Sequence, residues 1–223
     1  MLASAEEFEG QHPGWPSRLE ALRVPAGVVS VRPLRLRDRR SWRRLRLRDQ
    51  AYLEVWEPSA AGSWSERHTV GAWFSQYSVL RRLARRGQCF PYAITVNGEF
   101  AGQLTVGNVI RGSLRSGWLG YWVASSLAGG GVATAAVALV LDHVFSTAGV
   151  HRVEATVRPE NLASIRVLKK AGFRQEGRLE RYLHVDNAWR DHLYFALTVE
   201  EIGDGVVTDL IRRGLASGPV NPE

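Results

Sequence analysis

The stretch Leu119-Gly120-Tyr121-Trp122-Val123, followed closely by Gly129-Gly130-Gly131 and then Val132-Ala133-Thr134, decides the reading of this chain. The first five residues are strand formers at strand length. The three glycines free the backbone to turn. Residues 132–148 are apolar nearly all round, which predicts a largely buried helix. A strand, a glycine loop and a helix aim backbone N–H groups and a positive dipole end at one point. That combination suits phosphate. It equally suits a tight turn packing helix on strand, and the loop alone does not choose. Two familiar phosphate loops fit badly. A Walker loop needs Gly-Lys-Ser/Thr, and no lysine follows Gly131. A dinucleotide fingerprint needs Gly or Ala where this chain has Thr134.

Outward from that stretch, Asn97-Gly98 separates two alternating runs, residues 90–96 and 99–109, and predicts a hairpin. Residues 118–124 form the next strand, residues 150–157 another. Residues 159–171 read as a helix ended by Gly172, and residues 174–184 and 189–198 as a hairpin across Asp186-Asn187. Before the first hairpin, residues 28–34 read as a strand. Residues 39–50 read as a helix capped by Asp38, and residues 65–86 as a second helical stretch. A last helix is expected near residues 206–214. The order predicts an α/β fold with a mixed, mostly antiparallel twisted sheet flanked by helices. Residues 1–27 are expected to be an N-terminal extension, 28–200 the domain, and 201–223 a C-terminal helix and tail.

The chain has 223 residues, 45% of them apolar and 23% charged, which is globular composition. One cysteine, Cys89, leaves no intramolecular disulfide, and a reducing compartment fits. No apolar stretch reaches membrane-spanning length, and residues 1–14 lack the order of a signal peptide. A soluble cytoplasmic protein without membrane contact is expected. Six histidines show no ligand spacing, so no metal site is expected. The net charge of +7 favours anionic partners. Nine arginines lie between Arg32 and Arg48, and that run would serve a ribosomal or RNA contact. The favoured reading is a strand edge followed by a solvated helix face, since no base-stacking aromatic interleaves except Trp42, which faces the core.

The helix at 159–171 begins Pro159-Glu160-Asn161-Leu162-Ala163-Ser164, with Asn161 placed to cap it. With this segment the chain resembles the GNAT superfamily of acetyl-CoA-dependent N-acetyltransferases, and within it the RimJ/RimL type. The resemblance is carried by Trp56-Glu57-Pro58, residues 119–123, Gly131-x-Ala133, residues 151–155, Pro159-Glu160-Asn161-x-x-Ser164, and Leu168-x-x-x-Gly172-Phe173, in family order. It implies that backbone amides at Ala128, Gly129, Gly130, Gly131, Val132, Ala133 and Thr134 hold the pyrophosphate of acetyl-CoA. It implies that Trp122 and Val123 hydrogen-bond the pantetheine. Asn161 would meet the same arm, Ser164 would lie near the thioester, and Lys170 would approach the adenosine end. The family's loop usually opens with arginine or glutamine where this chain has Ala128, a loss expected to weaken binding rather than abolish it.

The implied reaction is direct attack of an amine on the thioester. A protein α-amine, with a pKa of about 7.7–8.0, is already partly neutral near neutral pH, whereas lysine near 10.4 needs far more help. Ser164 is the first candidate for protonating the thiolate and Tyr182 the second. Glu57 and Glu154 are the candidate bases, although either would serve as an ion-pair partner instead. Cys89 has no context that would make it a nucleophile. Trp56, Trp64 and Trp189 would wall a peptide groove, although core packing explains most of the eight tryptophans. Three functions remain open at this stage. One acetylates a protein N-terminus, one acetylates a small amine such as an aminoglycoside or polyamine, and one is a non-catalytic RNA- or ribosome-binding module. Monomer and homodimer are both compatible.

Overall fold

The computed structural model describes residues 14–220; the first thirteen residues of the expected extension and the last three of the tail lie outside the described residues. Among the described residues nine strands form one sheet: β1 (Ala21–Val24), β2 (Gly27–Pro33), β3 (Phe90–Val96), β4 (Glu99–Ile110), β5 (Ser116–Val123), β6 (Arg152–Val157), β7 (Arg174–Val185), β8 (Ala188–Thr198) and β9 (Ser217–Val220). Their spatial order is β7-β8-β6-β5-β4-β3-β2-β1-β9. Every pair is antiparallel except β5 with β6. The expected mixed, mostly antiparallel α/β fold is therefore present.

Both hairpins form where turn chemistry places them. Asn97 and Gly98 have φ of 49° and 82°, and Asp186 and Asn187 of 50° and 55°. Two successive positive-φ residues are what a two-residue hairpin turn requires. Among the described residues seven α-helices accompany the sheet: α1 (Arg39–Arg48), α2 (Gln50–Leu53), α3 (Trp64–Arg67), α4 (Val70–Arg85), α5 (Val132–Ser146), α6 (Leu162–Lys170) and α7 (Val206–Arg212). On one face α5 is buried nearly all round and packs with β1, β2, β5, α6 and α7. On the other face Trp42 and Leu45 of α1 and Trp73 of α4 cover Ala93, Phe100 and Ala124.

Four details differ from the expectations. The stretch at 65–86 is two helices, because it holds two caps: Ser63 caps α3 with Glu66 returning the bond, and Thr69 caps α4. The helix expected at 39–50 ends at Arg48, where Asp49 turns away to bond Ser125. Asp38 precedes α1 without capping it. Its buried carboxylate instead accepts both guanidinium nitrogens of Arg32, at 2.8 Å each, and the amide of Arg35. Finally, the described part of the expected extension supplies β1, and the expected tail supplies β9, which pairs with it.

Candidate active site

The register of β5 on β6 opens a cleft. Their parallel pairing covers only Ser116↔Arg152, Gly117↔Val153 and Trp118↔Glu154. Beyond it the strands diverge, and residues 119–123 of one and 155–157 of the other line the cleft on opposite sides. The inner edge of β5 is thus left without a strand partner and can pair with an extended, amide-bearing ligand. The cleft has a volume of about 1120 Å³.

At one end lies the glycine loop. Gly129 and Gly131 have φ of 78° and 84°, and Gly131 is the N-cap of α5 without a side-chain cap. The first-turn amides of Val132, Ala133 and Thr134 therefore face the cleft without an intrahelical acceptor. The loop is anchored from behind. Asp49 accepts the amide and hydroxyl of Ser125 at 2.8 and 2.7 Å and the guanidinium of Arg48 at 2.7 and 2.9 Å. Burial alone would raise the Asp49 pKa, but these hydrogen bonds outweigh it and hold the carboxyl at about 2.

In the middle, Asn161 caps α6 as expected, its Oδ1 accepting the Ser164 amide at 3.0 Å. That places the Ser164 hydroxyl 2.8 Å from the hydroxyl of Tyr121, which crosses from β5. Burial pushes the Tyr121 phenol well above its ordinary pKa, so it is a neutral hydroxyl at any working pH.

The far end is built around Arg46. Its guanidinium sits 4.8 Å from the Trp64 ring centroid and 5.1 Å from that of Trp122. Nη2 bonds Glu57, and Nε donates to His68 Nε2 at 2.9 Å. His68 must then carry its proton on Nδ1, which meets the Trp64 carbonyl at 2.6 Å. Burial also pulls the His68 pKa below the usual imidazole value. Across the opening, Arg158 reaches the Val55 carbonyl at 2.9 Å and lies over Trp56. Beside it, His192 of β8 lines the cleft, its Nδ1 3.1 Å from the Arg190 carbonyl. Nε2 has no hydrogen-bond partner among the described residues, and burial lowers the His192 pKa.

Residues 29–174 match the family model described as an acetyltransferase (GNAT) domain. The chain belongs to the GNAT acetyltransferase family. Its structure superimposes on that of Mycobacterium smegmatis RimJ in complex with CoA-disulfide with a TM-score of 0.91. The two chains are 55% identical, with coverage of 92% of this chain and 99% of that one. The ribosomal protein uS5-alanine N-acetyltransferase of Escherichia coli is 28% identical, covering 84% of this chain and 96% of that protein. The probable N-acetyltransferase YjcK of Bacillus subtilis is 29% identical, covering 76% and 93%. This chain is accordingly a GNAT N-acetyltransferase that uses acetyl-CoA, and the non-catalytic reading is set aside.

The GNAT cleft gathers most of the residues expected from the sequence. Trp122, Val123, Ala128, Gly129, Gly131, Val132, Ala133, Thr134, Asn161, Ser164, Lys170 and Glu57 all line it. Three do not. Gly130 faces the other way, against Ala26, where a Cβ would come within 2.6 Å. Glu154 lies before the divergence and pairs with Arg152 at 2.7 Å. Tyr182 stands on the outer hairpin, 37% exposed, with its ring against His192. The hydroxyl partner of Ser164 is Tyr121 instead. Among the tryptophans, Trp56 lines the cleft, Trp64 is buried behind Arg46, and Trp189 is exposed against His184. Burial pushes the Cys89 thiol up to about 12, which makes it inert. No helix among the described residues is long and apolar enough to cross a membrane.

Proposed function

We propose that this enzyme acetylates the α-amino group at a protein N-terminus, with a ribosomal protein as the favoured acceptor. The observation that carries this is the charge of the cleft. Among the described residues its carboxylates are Glu57 and Glu160, and each is engaged by an arginine, Arg46 and Arg158 respectively. Arg67, Arg166 and Lys170 add further positive charge. A polyamine or aminoglycoside would find no free carboxylate there. A peptide N-terminus brings one amine of low pKa and a chain of carbonyl acceptors. The likeness to RimJ and to the uS5-alanine enzyme supports the same acceptor class.

In this reading acetyl-CoA supplies the acyl group as a thioester. The amides of residues 129 and 131–134 hold its pyrophosphate, and the free edge of β5 at Trp122 and Val123 aligns the arm. Asn161 spends Oδ1 on the helix cap and keeps its amide nitrogen for the arm. The Ser164 hydroxyl, held by its hydrogen bond with the neutral Tyr121 phenol behind it, protonates the departing thiolate and recovers its proton from solvent as CoA leaves. His192 Nε2 takes the proton that the amine loses as its new bond to the acyl carbon forms. Glu57, expected as a base, holds Arg46 instead. Acetylation rates for peptides beginning with alanine or serine, set against a polyamine and an aminoglycoside, test the proposal. Faster turnover of the small amines overturns it.

A further inference from the structure

Helices α1 and α4 lie side by side over one face of the sheet. Arg46, near the end of α1, bonds His68 just ahead of α4, and Trp42, one turn earlier, packs on Trp73, one turn into α4. The two helices therefore run antiparallel. Their inner sides carry the apolar residues that cover the sheet. Outward they carry Arg40, Arg43 and Arg44 on α1 and Arg81, Arg82 and Arg85 on α4, all of them exposed. At one end the basic surface continues. Pro33 pairs with Tyr92, so the chain leaving β2 toward Arg35 and Arg37 lies beside the chain that joins Arg85 and Arg86 to β3.

An arginine-rich composition alone does not explain this face. Arg152, Arg174, Arg178 and Arg190 of β6, β7 and β8 each meet a carboxylate. The exposed arginines of α1 and α4 just named have no ion pair among the described residues. Neither helix contains Asp or Glu. The carboxylates that flank them are already engaged, Asp38 by Arg32, Asp49 by Arg48 and Glu66 by Ser63. Like charges gathered on one face repel each other and lower stability. A partner that is itself a row of anions relieves that repulsion.

We infer that the outer face of α1 and α4 docks on the phosphate backbone of double-stranded RNA. The helical frame repeats the guanidinium groups about every 5 Å along each axis. A planar guanidinium holds phosphate through two parallel hydrogen bonds. Trp42 is the one aromatic of α1 and is buried, and no aromatic follows Tyr77 in α4. Bases therefore have no ring to stack on beside these arginines, and the contact is with backbone, as in a duplex rather than a single strand. An acidic protein segment lacks the fixed repeat of charge that a duplex offers. The choice of RNA over DNA rests on the ribosomal acceptor proposed above. The same two helices reach the cleft, which Trp42, Ala72 and Gln76 line, so docking there holds a ribonucleoprotein beside the acceptor end.

The test is the triple variant Arg43→Gln, Arg44→Gln, Arg82→Gln, which removes charge and keeps good helix formers. Its control, Arg23→Gln, Arg115→Gln, Arg181→Gln, removes as many exposed charges outside α1 and α4. Fluorescence anisotropy follows binding of a hairpin RNA duplex, the same duplex in DNA, and polyglutamate across a range of salt. Wild type and control should bind RNA more tightly than DNA or polyglutamate. The face variant should bind RNA about tenfold more weakly, with a log–log salt slope shallower by about two to three. It should still acetylate a free N-terminal-alanine peptide at the wild-type rate. Unchanged RNA affinity in the face variant, an equal loss in the control, or polyglutamate bound as tightly as RNA overturns the docking face. DNA bound as tightly as RNA overturns the choice of RNA. A wild-type enzyme that binds RNA but acetylates no peptide overturns the α-amine reading alone.

Discussion

The hydroxyls of Tyr121 and Ser164 lie 2.8 Å apart across the cleft, one brought by β5 and the other by the first turn of α6. The pair joins the two walls at the level where the β5–β6 pairing has ended. If Ser164 protonates the leaving thiolate, Ser164→Ala lowers kcat by about 10²-fold and leaves acetyl-CoA affinity unchanged. Tyr121→Phe costs less, because Ser164 keeps its own proton. Steady-state kinetics on both variants, with calorimetric binding of CoA, separates the two effects.

The glycine loop has a cleaner probe than its glycines. Gly131→Glu would place a carboxylate at the phosphate, but φ of 84° and Val24 Cβ at 3.1 Å add backbone and packing strain. Ala133→Glu avoids both. A carboxylate in the first turn of α5 complements the helix dipole, so thermal stability should hold or rise. The same charge opposes a pyrophosphate, and the acetyl-CoA Kd should rise by about tenfold or more. Unchanged affinity would remove the loop from the binding site.

His192 predicts a specific pH profile. An α-amine becomes protonated below about pH 8, and kcat/KM then falls about tenfold per pH unit. The His192 pKa is lowered below its ordinary value by burial, so a second bend should appear at lower pH, steepening the fall to about a hundredfold per unit. A protonated imidazole cannot accept the amine's proton, which sets the sign. In His192→Gln the second bend disappears and kcat falls, while the KM for acetyl-CoA is kept. A profile with the same two bends in the variant would exclude His192 as the proton acceptor.

Asp49 gives a stability prediction. Its folded pKa of about 2 lies below the ordinary aspartate value of 3.8, so its contribution is present above the unfolded value and is lost as pH falls through the folded one. The difference corresponds to about 2 kcal/mol. Asp49→Asn should lower unfolding stability by that order at pH 7, and the gap to wild type should close as pH falls from about 4 to about 2. Denaturant midpoints measured across that range check it.

Features that rest on near neighbours were legible in the sequence. The glycine loop, the two positive-φ hairpin turns and the Asn161 cap each depend on residues a few positions apart. What was hidden depends on distant pairing. β1 and β9 are four-residue strands that hydrogen-bond each other from opposite ends of the chain, so no local period marks them. Tyr182, the second candidate for protonating the thiolate, follows an irregularity in β7, where Arg181 takes φ of 47° and the register on β8 shifts, and it stands outside the cleft. The sequence left Glu57 open as a base or an ion-pair partner, and the partner it takes, Arg46, sits within an arginine run that reads as solvated. In that run Arg32, Arg46 and Arg48 are tied into ion pairs, while Arg40, Arg43 and Arg44 are exposed as expected.

The most direct measurement maps the acetyl group on a peptide that begins with alanine and also contains an internal lysine. The peptide is incubated with the enzyme and acetyl-CoA, and the product is sequenced by fragmentation mass spectrometry. A cleft that uses an amine of low pKa should place the acetyl group on the N-terminal nitrogen and leave the lysine free. Acetyl-lysine with an unmodified N-terminus would contradict the account.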